Sequence, residues 1–217
     1  MRKLRTVLVV LALAVAARAN AAVISIADAR DEPLGTMVTV EGAVTVPSGI
    51  FASSTFDQGF GIQDETAGIY VSTADNPILH LFEKVRVTGV LADDGFGQLV
   101  LRPASLAGIQ KRPGLKRVQP DAVATGDIGE GTEGSLMKIT GTVTQILGDL
   151  PYGYKVFVND GSGETQIFFA ASTGVNPFTL PFIQLGARIT AVGFSTQFQT
   201  QYEILPRHRL DIRRALP

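Results

Sequence analysis

The chain has 217 residues, no Cys, no Trp and two His, with 19 basic against 20 acidic side chains. Without Cys there are no disulfides and no lipid-modified N-terminal Cys, so stability must come from buried apolar side chains. A net charge of −1 excludes a general polyanion-coating role, which needs a basic surplus.

The first segment reads as an export signal. Arg2, Lys3 and Arg5 are followed by the apolar run Val7 to Ala17. Small residues after it allow cleavage following Ala19 or Ala21. The run is too short to span a bilayer comfortably. The expected location is therefore the periplasm or outside the cell. Of the 19 Lys and Arg, four (Arg2, Lys3, Arg5 and Arg18) lie within 1–21, leaving 15 against 20 acidic residues and a net charge of −5.

The remaining chain repeats itself. Gly35 to Thr45 recurs as Gly134 to Thr144, with Gly42 matching Gly141. Phe60 to Asp64 recurs as Val156 to Asp160, and Val85, Val87 and Gly89 recur as Ile189, Ala191 and Gly193. The period, about a hundred residues, is that of a domain rather than a solenoid. The expected divisions are a signal peptide over 1–21, a first domain over 22–110, a basic linker over 111–117 and a second domain over 118–217.

The elements of the first copy begin with a single helical turn over 25–30. Residues 37–46 alternate apolar and polar side chains, the period-two pattern of a half-buried strand, with Gly42 placed to let it bend. Residues 59–63 and 69–71 form a hairpin across the turn Asp64 to Gly68. The connection over 72–82 holds a turn or short helix. Residues 85–91 alternate again, Asp93-Asp94-Gly95 turns the chain, and 98–101 return as the fifth strand. In the second copy a weaker turn over 122–128 precedes strands at 137–146, 154–159, 165–169, 187–194 and 202–205. Pro177 and Pro181 argue against a regular helix over 172–184. The prediction is an all-β chain of two tandem five-stranded barrels.

Several of these residues resemble a known pattern. Gly42, Phe60-Gly61-Ile62-Gln63-Asp64, Gly68-Ile69-Tyr70-Val71, Val85-Arg86-Val87-Thr88-Gly89 and Gln98-Leu99-Val100-Leu101 are similar to bacterial OB-fold domains of the nucleic-acid-binding type. The second copy carries the pattern loosely. The resemblance implies an OB-like barrel for each copy, with ligands on the face of the middle strands. OB domains bind oligonucleotides, oligosaccharides or proteins, so the fold does not choose the ligand.

Catalysis has little support. His80 and His208 lie one in each copy outside any relay or metal-binding motif, and there is no Gly-x-Ser-x-Gly elbow or phosphate loop. Asp160 to Glu164 has the oxygens of a calcium loop without its alternate-position ligands, and reads as a hairpin turn. No enzyme activity, cofactor or metal is expected. Binding is. Aromatic side chains on the middle strands, Phe60 and Tyr70 in the first copy and Tyr154, Phe157 and Phe168 in the second, are candidates for stacking on bases or sugar rings. Among them Tyr70 and Tyr154 stand out, since a phenol tolerates water, whereas Phe56, Phe60 and Phe82 read first as core. The loops over 46–57 and 147–154 are placed to rim that face. Lys111 and Arg112 after the first barrel, and Arg207 and Arg209 after the second, are matched cationic segments able to meet phosphate. The expected function is an exported, non-catalytic binding protein for an extended ligand, single-stranded nucleic acid or oligosaccharide. The alternative is a structural or protein-interaction module with an envelope protein partner.

Overall fold

A computed structural model describes residues 22–215; the expected signal peptide, 1–21, lies outside the described residues. The first repeat contains β1 (Val23–Ile24), α1 (Ile26–Arg30), β2 (Met37–Val46), α2 (Ala52–Thr55), β3 (Phe60–Gln63), β4 (Gly68–Val71), β5 (Glu83–Asp93), β6 (Leu99–Arg102) and β7 (Ile109–Leu115). The second contains β8 (Asp121–Ala122), β9 (Leu136–Asp149), β10 (Gly153–Asn159), β11 (Glu164–Ala170), β12 (Arg188–Phe198), β13 (Gln201–Leu205) and β14 (Ile212–Arg214), with 3-10 turns in place of helices.

Each repeat closes its own barrel. The first sheet runs β2-β3-β4-β6-β5 and closes through pairing of β5 with β2; the second runs β9-β10-β11-β13-β12 and closes through β12 with β9. In both, a short strand lies parallel to the first barrel strand and another lies antiparallel to the fourth. The protein is thus all-β, with two tandem five-stranded OB-like barrels.

The central glycine of the first strand makes closure work. Residues 37–43 pair with β5 and residues 43–46 with β3, so β2 changes partner at Ala43, beside Gly42. A Cβ on Gly42 would lie 3.1 Å from the Gln63 carbonyl oxygen. In β9 the change falls beside Gly141, where a Cβ would lie 3.1 Å from the Asn159 backbone. One long strand bends sharply enough to serve two neighbours only if no side chain stands inside the bend.

The hairpin turns are held the same way in both copies. Asp64 accepts from the backbone N–H groups of Ile26, Thr66 and Ala67, which anchors the start of α1 to the turn. Asp160 accepts from the N–H groups of Thr125 and Ser162 and from both hydroxyls. Hydrogen bonds from Ser162 and Thr125 hold the Asp160 carboxyl far below the usual carboxylate range. The loop is a hydrogen-bonded turn, as the sequence suggested.

The segment read as a basic linker, 111–117, is mostly strand. Residues Ile109–Leu115 form β7, an edge strand paired antiparallel with β5. Matched Ile109 and Ile212 each start the strand after a 3-10 turn, so the cationic run belongs to the barrel architecture. Pro113 is tolerated because an edge strand has one unpaired side.

Alternation sorts the apolar side chains into three cores. Val40, Val44, Ile62, Ile69, Val71, Val87 and Leu101 fill the first barrel, and Ile139, Val143, Val156, Val158, Ile167, Phe169 and Ile204 fill the second. The intervening residues point outward yet are buried. Val46, Phe51, Tyr70 and Val100 of the first barrel pack with Phe168, Ala170, Phe194 and Leu205 of the second. The barrels are closed separately and docked through this third core. Polar bonds surround it. Leu136 N–H donates to Gln63 Oε1 at 2.8 Å, and Thr196 Oγ1 bonds Gln98 Oε1 at 2.6 Å. Arg207 donates to the Thr45 carbonyl at 2.9 Å, and Arg30 reaches Glu133 at 3.2 Å. Gly68 and Gly134 meet backbone to backbone across the junction, where any Cβ would collide.

Candidate binding cleft

Docking leaves a cleft of about 680 Å³ between the barrels, beside the third core. Two aromatic pairs bridge its rims. Phe56, at the end of α2, meets Tyr152 of the β9–β10 turn edge-on at 5.6 Å. Phe96, in the β5–β6 turn, stacks on Phe198, the last residue of β12, at 5.0 Å and 24°. All four rings are substantially exposed. Gln199 N–H donates to the Phe96 carbonyl, tying the second pair together. Phe56 and Gln199 hold left-handed backbone conformations, φ +56° and +57°, which cost non-glycine residues about 1–3 kcal/mol and cluster at binding sites.

The lining is more apolar than polar, and its charged side chains are more negative than positive. Asp57, Asp94, Asp149 and Glu203 line the cleft against Arg102 and Lys155. Asp57 accepts from the Tyr70 hydroxyl and from Ser72 Oγ, both at 2.8 Å. Asp149 pairs with Lys155 at 2.9 Å. Asp94 accepts from the N–H groups of Phe96 and Gln98, and burial nonetheless pushes its pKa up. Glu203 is 6 % exposed and accepts one side-chain hydrogen bond, from Gln166 Nε2. Burial raises its pKa to about 7, against lowering by the Gln166 bond and by Lys155. Gln98 is 3 % exposed; its Oε1 accepts from Thr196 while its Nε2 has no partner.

The structure scatters the residues expected from sequence to bind ligand. Phe60 is fully buried inside the first barrel, so it is core and no platform. Tyr70 is 2 % exposed in the third core, its hydroxyl spent on Asp57, and burial raises its pKa well above normal. Of the stacking candidates, Tyr70 and Phe168 line the cleft, both buried in the third core. Tyr154 packs against the second core, edge-on to Phe178 at 5.8 Å, and Phe157 is half-buried on β10 away from the cleft. Lys111 pairs with Glu83 at 3.1 Å and Arg112 with Glu41 at 3.5 Å. Arg207 is buried, held at 2.7 Å and 2.9 Å by both oxygens of Asp211, and serves the barrel junction. Arg209 lies over the Phe182 ring at 4.9 Å. These cations are satisfied locally on different surfaces, so no joint phosphate groove forms from them.

Phe56, expected in the core, is instead a rim residue, because its turn ends α2 at the mouth of the cleft. Phe96 lies in the turn between the fourth and fifth strands of its copy, and Phe198 ends the fourth strand of the other. Sequence reasoning misses both; an aromatic at the fourth-to-fifth-strand corner of each copy, exposed at 43% and 47%, is the signal that could have found them.

No protein-family model matches the chain, and no curated protein matches it. Solved structures give distant likenesses. The tetrameric p202 HIN2 structure is 12% identical with TM-score 0.40, covering 85% of this chain and 96% of that one. A murine DNA-binding protein bound to double-stranded DNA is 8% identical with TM-score 0.41, covering 82% and 97%. The Ifi202 HINa domain in complex with 20-bp double-stranded DNA is 9% identical with TM-score 0.40, covering 84% and 98%. Likeness at these scores says nothing of what this chain binds. Its class rests on its own strand order, a tandem of closed OB-like barrels.

Among the described residues, no group of three or more His, Asp or Glu side chains is placed to hold a metal ion. No helix among them is long and apolar enough to cross a membrane.

Proposed function

We propose that this is an exported, non-catalytic binding protein that holds an oligosaccharide in the cleft between its barrels. The observation that carries the proposal is the lining: exposed aromatic pairs at both rims over walls of carboxylates and amides. Sugar rings present flat C–H faces to aromatic side chains and edge hydroxyls to Asp, Glu and Gln, so this mixture fits them. The volume suits a few sugar residues, since ligand sites commonly span about 300–1,000 Å³. A polyanion fits poorly, because the walls hold more carboxylates than cations. Export rests on the composition of residues 1–21, and the lack of catalysis on the absence of nucleophile and relay motifs in the sequence.

Tyrosine fluorescence and calorimetry test this with neutral and aminated trisaccharides to hexasaccharides, set against a single-stranded dT oligomer at low salt. Sugar binding is expected. Replacing both Phe198 and Tyr152 by Ala should weaken it at least tenfold, with stability changed by no more than about 1 kcal/mol at these exposed positions. Binding of the dT oligomer that falls steeply with salt, and survives the double replacement, would overturn the oligosaccharide reading.

A further inference from the structure

The cleft carboxylates differ in how well they are matched. Asp57 has donors from Tyr70, Ser72 and the Gly59 N–H, Asp149 has the Lys155 ammonium, and Asp94 has two turn N–H groups with Arg102 nearby. Glu203 has one neutral amide. A buried carboxylate with one amide donor is poorly compensated, and a ligand that supplies both charge and donors gains most from meeting it. Beside the Glu203 site, Gln98 Nε2 is a second unmatched polar group in the same lining, a donor for which a ligand hydroxyl is the natural acceptor.

We infer that the cleft selects an aminated, cationic sugar over a neutral one, with the ligand ammonium seated on Glu203 and a ligand hydroxyl on Gln98. This rests on the oligosaccharide reading above. The groups facing Glu203 are Gln166 on β11, Lys155 on β10 paired with Asp149 on β9, and its strand partner Thr196 on β12; across the cleft stand Asp57, Asp94 and Arg102. None of these is a free cation paired with the Glu203 carboxyl: Lys155 is committed to Asp149, and the one side-chain bond to Glu203 comes from Gln166.

The exchange balances simply. Without ligand the Glu203 carboxyl keeps its proton up to about pH 7. When an ammonium arrives, the carboxyl gives its proton to solvent and the ion pair replaces it. Binding of the cation is therefore coupled to proton release, and it weakens as pH falls below the titration of the free carboxyl. A neutral sugar displaces no proton by this route.

Kanamycin, a polyamine trisaccharide, and maltotriose, a neutral one, are the probes. At pH 7.5 wild-type protein is expected to bind kanamycin at least tenfold more tightly than maltotriose. Calorimetry in buffers of different ionisation enthalpy should show proton release near pH 6.5. Affinity for kanamycin should fall about tenfold or more between pH 7.5 and 5.5, as ionised Glu203 becomes scarce. E203Q should lose at least tenfold for kanamycin, lose the preference for kanamycin over maltotriose and show a flat pH profile, with its fold checked by circular dichroism. Equal affinities for the two probes, or a kanamycin affinity unchanged in E203Q, would overturn this inference and leave the cleft reading standing. Failure of wild-type protein to bind either probe or any sugar of the wider panel would overturn both.

Discussion

Replacing Glu203 with Gln is expected to leave stability unchanged near pH 4 and to raise it by about 3 kcal/mol at pH 8, at about 1.4 kcal/mol per tenfold change in proton affinity. The carboxyl is nearly fully enclosed, and burial moves its pKa from the ordinary 4.5 to about 7. The sign follows from which form the fold prefers. The folded protein favours the neutral acid, so no penalty exists below the unfolded pKa. Between 4.5 and about 7 the unfolded chain ionises while the folded one resists, and stability falls. Above that range the penalty is complete and constant. Gln keeps the shape and can still accept from Gln166, but it carries no charge to bury. For a chain of this size the gain corresponds to roughly 6–12 °C in melting temperature. Melting curves of wild-type and E203Q protein at the two pH values check it, and equal curves at pH 8 would show that the carboxyl is solvated.

Phe194→Ala is expected to destabilise the protein by about 3–5 kcal/mol, the range for emptying an aromatic site in a packed core. Phe194 is on the outside of its own barrel, so a barrel considered alone would not need it. It is 1 % exposed because it fills the junction, 6.4 Å from Phe51 and 5.9 Å from Tyr70 by ring centroids. Gly61 of the first barrel lies directly against the Phe194 ring, where a Cβ would approach to 3.0 Å. Denaturant unfolding followed by circular dichroism measures the loss. The matched control is Phe198→Ala, an exposed ring on the same strand, expected within about 0.5 kcal/mol of wild type. If Phe194→Ala were equally mild, the barrels would not be packed together as described.

Much of the fold was legible in the sequence, for a physical reason. The repeat carries residues whose job is local: Gly42 and Gly141 where one strand serves two partners, Asp64 and Asp160 where a carboxylate gathers turn N–H groups, and alternating Val in β2 and β5. Period two survives in β5 because one face meets the core and the other is half-exposed, and in β2 because the polar face, with Thr39 and Thr45 buried, still differs from the apolar one. The site was less legible because its strands break that rule. Ile69-Tyr70-Val71 and Ile167 to Ala170 are apolar at every position, the pattern of strands buried on both faces. Taken as ligand platforms, they instead turn toward one another and form the third core. Arg207 misled for a similar reason. In sequence it is one member of a basic tail, and in space it is a buried strut between Asp211 and the Thr45 carbonyl. The pairing of Glu203 with a cleft made by both barrels depends on contacts between residues a hundred positions apart, which no local pattern encodes.

The docking of the barrels is the claim from which the cleft, its aromatic rims and the burial of Glu203 all follow. Ser53 of the first barrel and Ser172 of the second touch across the junction, hydroxyl to hydroxyl at 2.9 Å. The chain contains no Cys, so replacing both with Cys gives a background-free reporter. Under mild oxidation the double variant is predicted to form one intramolecular disulfide rapidly and completely, as a preformed geometry allows. Two thiols that stay reduced, or link only between molecules, would contradict the docked arrangement and the cleft with it.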